Sequence, residues 1–196
     1  MRTTFQWVLI FLPLLAGCSP RDAANSMPAV KETNVLAMLK AIETFQSVRL
    51  MEQGNFAHTL QELKVGNFSN KKLDELVTAQ SASKPYSGYF FRDIVSDENG
   101  SPLDNQIRYG IAVIPENPGK ETSFLLLIDT RNTKFENEGA TSRGIGGETY
   151  KSQTATLAGD KWPSASELAR WELIVRRTPE EALKAARQVK ENFDGK

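Results

Sequence analysis

Few side chains in this sequence are of types that perform chemistry, and their spacing decides what each could do. His58 is the sole histidine and Cys18 the sole cysteine, so one chain can form neither an internal disulfide nor a Cys/His metal cluster. With one imidazole and no serine in a Gly-x-Ser-x-Gly setting, a Ser/His/Asp triad would hang on a single placement. We expect His58 in a partly exposed loop. Asp97, Asn99 and Asp104 supply oxygen donors, but no chelating glutamate closes the spacing of a calcium loop, and a solvated hairpin is expected there. Gly144, Gly146 and Gly147 lack the Lys and Ser/Thr that complete a phosphate cradle and read as part of a flexible loop. Tyr86, Tyr89, Phe90 and Phe91 could stack a sugar or a peptide, yet strand aromatics of this kind normally pack in a core. That leaves the carboxylates Asp93, Asp129 and Glu148. Paired in a cleft with raised pKa, they could serve as general acid and base.

The chain that must position these groups has 196 residues, 40% hydrophobic and 9% aromatic, enough for one globular domain. Its 24 basic and 24 acidic residues cancel. No overall field draws it to nucleic acid or to an anionic membrane surface, and no basic stripe with interleaved aromatics appears. Nucleic acid is therefore not an expected partner.

The N-terminus carries Arg2 and then the apolar run Trp7 to Leu15, broken by Pro13, which has the form of a secretory signal. A bilayer-spanning helix needs about 20 apolar residues, and Ser19, Pro20, Arg21 and Asp22 end the run sooner. It closes on Leu15, Ala16, Gly17 and Cys18. These four residues resemble the lipobox of bacterial lipoproteins. The resemblance implies cleavage between Gly17 and Cys18 and a diacylglyceryl group on the Cys18 thiol. Two or three acyl chains hold a protein on a bilayer almost permanently. Ser19 after the cysteine implies, by resemblance to Gram-negative lipoproteins, delivery to the outer membrane, on its periplasmic face.

After a signal at 1–17 and a lipidated tether at 18–29, residues 30–196 are expected to form one α+β domain. Val35, Leu36, Met38, Leu39, Ile42, Phe45 and Val48 recur at helical spacing, with Lys40, Glu43 and Arg49 available for the other face. That predicts a long helix from about Val30 to Glu52, stopped by Gly54. Thr59 and Glu62 have capping-box spacing for a short helix, and another is expected near Asn70 to Thr78. Tyr86 to Val95, Ile107 to Val113 and Phe124 to Ile128 read as strands, the last apolar on both faces and therefore central. Gly110 and Ala112 are expected to leave room for a close-packed helix on the face opposite Tyr109 and Ile111. A short strand is expected around Lys134 to Asn137, and a flexible loop from 139 to 160. Ser164 or Ser166 can cap a helical turn, and Trp171, Leu173 and Val175 alternate as a closing strand. Thr178 to Glu181 is a capping box with proline at the first helical position, opening a C-terminal helix at 178–194 whose apolar stripe includes Phe193. The expected architecture is a long N-terminal helix on an antiparallel meander of about three to five strands, with a C-terminal helix.

The long helix, the segment Gly54-x-Phe56-x-x-Thr59-Leu60-x-x-Leu63 and the meander together are similar to the globular domain of type IV pilins and type II secretion pseudopilins, over about Val30 to Asn137. The segment from Pro85 to Asp129 also looks like a widespread group of exported bacterial proteins of unknown function. Pilins polymerise through a very hydrophobic N-terminal helix released by a prepilin peptidase, and this chain has a lipobox leader instead, so the resemblance implies the fold and not a filament. With no polar catalytic cluster in the sequence, the expected function is non-enzymatic: a membrane-anchored envelope lipoprotein that binds an envelope protein or cell-wall component, or serves a secretion-type assembly. The alternative is a cell-wall hydrolase or transferase using carboxylates. No catalytic residue, cofactor or metal ligand is assigned.

Overall fold

The structure is a computed structural model and describes residues 20–63, 71–131, 146–157 and 159–194. Three helices come first: α1 (Pro20–Gln53), α2 (Leu60–Leu63) and α3 (Lys71–Ser81). Strands β1 (Tyr89–Ile94), β2 (Arg108–Pro115), β3 (Ser123–Asp129) and β4 (Gly147–Ser152) come next, then α4 (Ala165–Leu168), β5 (Glu172–Arg176) and α5 (Pro179–Asp194). The strands form one antiparallel sheet in the order β1-β2-β3-β4-β5. An α+β fold with a long N-terminal helix on a meander and a C-terminal helix is what the sequence predicts.

Every residue of β3 is buried. A strand apolar on both faces needs cover above and below and a hydrogen-bonded neighbour on each side. One core covers the first face: Val35, Met38, Leu39, Ile42 and Phe45 of α1, with α2, α3 and Ala182 of α5, pack on Tyr89, Phe91, Tyr109, Ile111, Phe124, Leu126 and Ile128. A second core covers the other face, where Trp162, Trp171, Leu103, Ala155 and Leu157 pack on Ile94, Ala112, Leu125, Leu127 and Tyr150.

Several expectations are corrected. The helix α1 packs on the bulky face of β2, not on the side of Gly110 and Ala112; those small residues instead admit the second core, and a Cβ on Gly110 would lie 2.9 Å from Ile94 Cδ1. The loop expected at 139–160 contains β4, because the fully apolar β3 requires a second neighbour, and Thr149 and Tyr150 suit a strand despite the surrounding glycine and serine. The segment 18–29, expected as a tether, is helical from Pro20 onward, so α1 starts ten residues before the predicted Val30. Proline at the first turn with Asp22 and two alanines behind it favours that start, although Pro28 lacks the N–H for one helical bond. Glu43, expected on a solvent face, is buried together with Thr44, Gln46 and Ser47, because α5 closes over α1 through the fully buried Ala182 and Ala186. The closing strand is present as β5, but Leu173 and Val175 are exposed and Ile174 is the residue packed on the first core. A bulge between Thr149 and Tyr150 shifts the register there. Cys18 and its cleavage site, Asn70, the strand expected at 134–137, residues 139–145 of the expected loop and the Phe193 side chain lie outside what the structure describes.

Candidate functional site

The chain leaves α1 at Gly54, whose φ of 74° is the left-handed conformation that ends helices, with its N–H donated to Leu50 O at 2.9 Å. Side chains of α1 then pin the segment that leads into α2. Gln46 grips the peptide groups of Ala57, accepting from its N–H at 2.8 Å and donating to its C=O at 3.4 Å. Arg49 Nη1 donates to Glu62 O at 3.0 Å. Thr59 Oγ1 accepts from Glu62 N at 3.3 Å, while the Glu62 carboxylate accepts from His58 N at 2.9 Å, one residue earlier than a regular capping box. His58 itself is exposed between α1 and α2.

This clamp holds the start of α2 directly over Asp93 of β1. Asp93 Oδ1 accepts from Leu60 N at 3.1 Å, and Oδ2 accepts from Gln80 Nε2 of α3 at 2.8 Å. Among the described residues no cation pairs with it. Burial pushes its carboxyl up to about 6, against the two hydrogen bonds and with Glu62 repelling the charge. The buried Tyr109 hydroxyl feels the Asp93 charge, and its pKa is raised well above 10.0, chiefly by burial. Asp93 opens onto a groove of about 620 Å³ between α2/α3 and the segment near Asp160, with Thr59, Gln80, Lys84 and Phe90 among its walls.

The other two candidate carboxylates are elsewhere. Asp93 pairs with Ile111 and shares the helix-covered face, whereas Glu148 pairs with Leu127 and shares the opposite face. Asp129, two residues beyond Leu127 on β3, is on that opposite face too. Arg108 Nε lies 2.8 Å from Asp129 Oδ2 and Arg131 Nη2 lies 2.7 Å from the same atom. Arg108 also pairs with Glu98 at 3.0 Å and lies 4.7 Å over the Trp162 ring. Burial raises the Asp129 carboxyl against the pull of Arg108. Glu148 accepts from Arg176 Nε at 2.8 Å and from the Tyr150 hydroxyl, whose pKa is driven up by burial and by that carboxylate. The sheet thus separates Asp93 from the other two, and arginines hold both of those.

The remaining candidates have local tasks. Asp97 Oδ1 accepts from Asn99 N at 2.9 Å and Ser101 N at 2.8 Å, and Asp104 Oδ1 accepts from Gln106 N at 3.0 Å, so these oxygens fold turns. Among the described residues no group of three His, Cys, Asp or Glu is placed to hold a metal ion. Tyr89 and Phe91 are in the core, Tyr86 is half-buried against Phe91, and Phe90 is exposed.

Sequence reasoning missed Glu43. Its Oε2 lies 2.9 Å from Arg177 Nη1, and its Oε1 accepts from Gly147 N at 3.1 Å. Glu43 is buried and the Arg177 side chain nearly so, and burial lifts the Glu43 carboxyl despite Arg177. The readable signal was the small-residue stripe of α5, Ala182 and Ala186, which announces a helix packed closely on another. Comparison with protein-family models, with curated proteins and with solved structures gives no match to this chain.

Proposed function

We propose that the chain is an exported lipoprotein, anchored on a bacterial membrane through Cys18, whose domain is a binding or interaction module of the cell envelope. The observation that carries this reading is the run Leu15, Ala16, Gly17 and Cys18 behind the apolar leader, and the start of α1 is consistent with it. Two residues after Cys18 the chain is already helical, and α1 runs unbroken from Pro20 into the core at Val35. Lys31 and Glu32, where α1 reaches the domain, tie it to the β2–β3 connection, through Glu121 at 3.0 Å and Thr122 at 2.6 Å. At about 1.5 Å per residue, residues 20–30 make a spacer of about 16 Å. A lipid on Cys18 would then stand the domain off the bilayer on a helix rather than on a loose tether. Among the described residues no helix is long and apolar enough to cross a membrane.

Intact mass and fractionation of the protein from its own host, beside a Cys18→Ser variant, test the anchor. The expected mass lacks residues 1–17 and gains acyl chains, and the variant loses both processing and membrane association. An unmodified Cys18 on a freely soluble protein would overturn the reading.

A cell-wall hydrolase or transferase is the second reading, favoured by one observation: Asp93 holds its proton to about 6 at an open groove. Release of soluble fragments from purified peptidoglycan by the wild type and not by Asp93→Asn would support it. Equal release, or none, would reject it.

A further inference from the structure

The two edges of the sheet differ in what they leave open. β5 is shifted by the bulge, and its Glu172 and Arg176 pair across to Lys151 and Glu148 of β4. β1 is regular, and the bond from Glu116 N to Gly88 O at 3.0 Å sets its phase. Even-numbered residues turn their main-chain groups toward β2 and odd-numbered residues turn theirs outward. The outward groups are occupied at both ends of the strand. Tyr89 exchanges bonds with Tyr86 at 2.8 and 3.0 Å, and Val95 N donates to Asp160 O at 2.9 Å. Between them Phe91 and Asp93 direct two N–H and two C=O groups outward, and among the described residues none of the four has a partner. They lie along the groove that Thr59, Gln80 and Lys84 also line, with Gly159 and Asp160 at its Val95 end. An open edge of this kind is a template for one more strand.

Side chains at the window say which strand fits. Arg92 is at its centre, exposed, and neither Arg92 nor Lys84 has an ion-pair partner among the described residues. A second copy pairing antiparallel through this window would set Phe91 against Asp93 and the two Arg92 side chains against each other, a destabilising pair. A strand with a carboxylate at that position gains instead. Phe90, on the face that Arg92 shares, is 38% exposed and offers an apolar contact one pair along. The Asp93 carboxylate turns away to Leu60 and Gln80, while Asp160 at the Val95 end disfavours a strand that is acidic throughout.

We infer that β1 between Tyr89 and Val95 is a strand-addition site for an extended segment of a partner protein, with a carboxylate opposite Arg92 and an apolar side chain opposite Phe90. The inference rests on the domain being a binding module and is independent of lipid on Cys18. The probe is a pentapeptide, Val-Thr-Glu-Thr-Val, which matches the open window between Tyr89 and Val95, compared with its central-lysine counterpart. Each is added to the full chain at low ionic strength, with binding read by fluorescence anisotropy and hydrogen exchange resolved to single amides. The glutamate peptide is expected to bind about tenfold more tightly and to slow exchange at the Phe91 and Asp93 amides. Arg92→Glu, at an exposed residue without bonds to lose, is expected to keep the melting temperature and reverse the preference. No binding, equal binding of both peptides, or slowed exchange only outside β1 overturns the inference. A lipidated protein that ignores the peptide defeats this inference alone, and an unlipidated one that binds it defeats only the anchor.

Discussion

Asp93 and Glu43 are both carboxylates taken out of water in the helix layer, but the chain treats them in opposite ways. Glu43 has a nearly buried cation, Arg177, and one backbone donor, Gly147; Asp93 has two neutral donors and, among the described residues, no cation. Burial lifts both. The difference teaches where each can be charged: Glu43 is locked into a pair whose partner cannot give up its proton, whereas Asp93 is free to switch near pH 6. The largest test breaks the locked pair. Glu43→Ala leaves Arg177 buried without compensation, and a loss of about 3–5 kcal/mol in urea unfolding is expected. Replacing both Glu43 and Arg177 with methionine is expected to restore stability to within about 1 kcal/mol of the wild type or above it. A double variant as weak as the single one would show that the site depends on the ion pair itself and not on avoiding a lone charge.

The free carboxylate predicts a pH dependence instead. Unfolded, Asp93 releases its proton near 3.8; folded, it keeps it to about 6. Between those values the native state binds more protons than the unfolded one, so stability falls as pH rises through this window. The drop from this group is about 3 kcal/mol. Asp93→Asn is expected to remove that part of the pH profile while keeping the bond from Leu60 N. Unfolding free energies at pH 4 and pH 7 for the two proteins check it, and an unchanged difference between the two pH values would place the titration elsewhere.

A smaller effect comes from the glycine that meets Glu43. A Cβ at Gly147 would lie 2.5 Å from Glu43 Oε1 and 2.8 Å from its Cδ. Gly147→Ala must push the carboxylate aside, at a cost of about 1–3 kcal/mol. In a Glu43→Ala background the same substitution should cost much less, and an undiminished cost would mean that the clash is with something other than Glu43.

The architecture is legible in the sequence wherever a period is clean. Val35 to Val48 marks the inner face of α1, Phe124 to Ile128 marks the central strand, and Ser164, with Glu167, forms the predicted cap, each bonding to the backbone of the other. The illegible parts lie where two elements meet. The polar Glu43, Gln46 and Ser47 look like a solvated face until α5 covers them, and β4 hides among glycines and serines because its partner β3 supplies the apolar content. The candidate carboxylates stand out as residue types, but the alternation of faces that separates Asp93 from Asp129 and Glu148 requires the register of three strand pairs. Asp93 itself gives no local signal of its raised pKa, since the burial that raises it is imposed by segments around Leu60 and Gln80, far apart in the chain.

The smallest effect sharpens the comparison most, because it falls on a neighbour of Arg177. Arg176 and Arg177 are consecutive at the end of β5, each within 3 Å of a glutamate oxygen, yet the Arg176 side chain is 68% exposed and that of Arg177 is 12% exposed. Water screens the Arg176–Glu148 pair and already solvates both ends when it opens, so Arg176→Ala is expected to cost no more than about 1 kcal/mol. Arg177→Ala strands Glu43 in the core, where protonation gives partial relief, so its cost should grow as pH rises past the Glu43 titration while that of Arg176→Ala stays flat. Unfolding of the two alanine variants across pH measures this directly. Parallel pH profiles would mean that burial does not distinguish the two arginines.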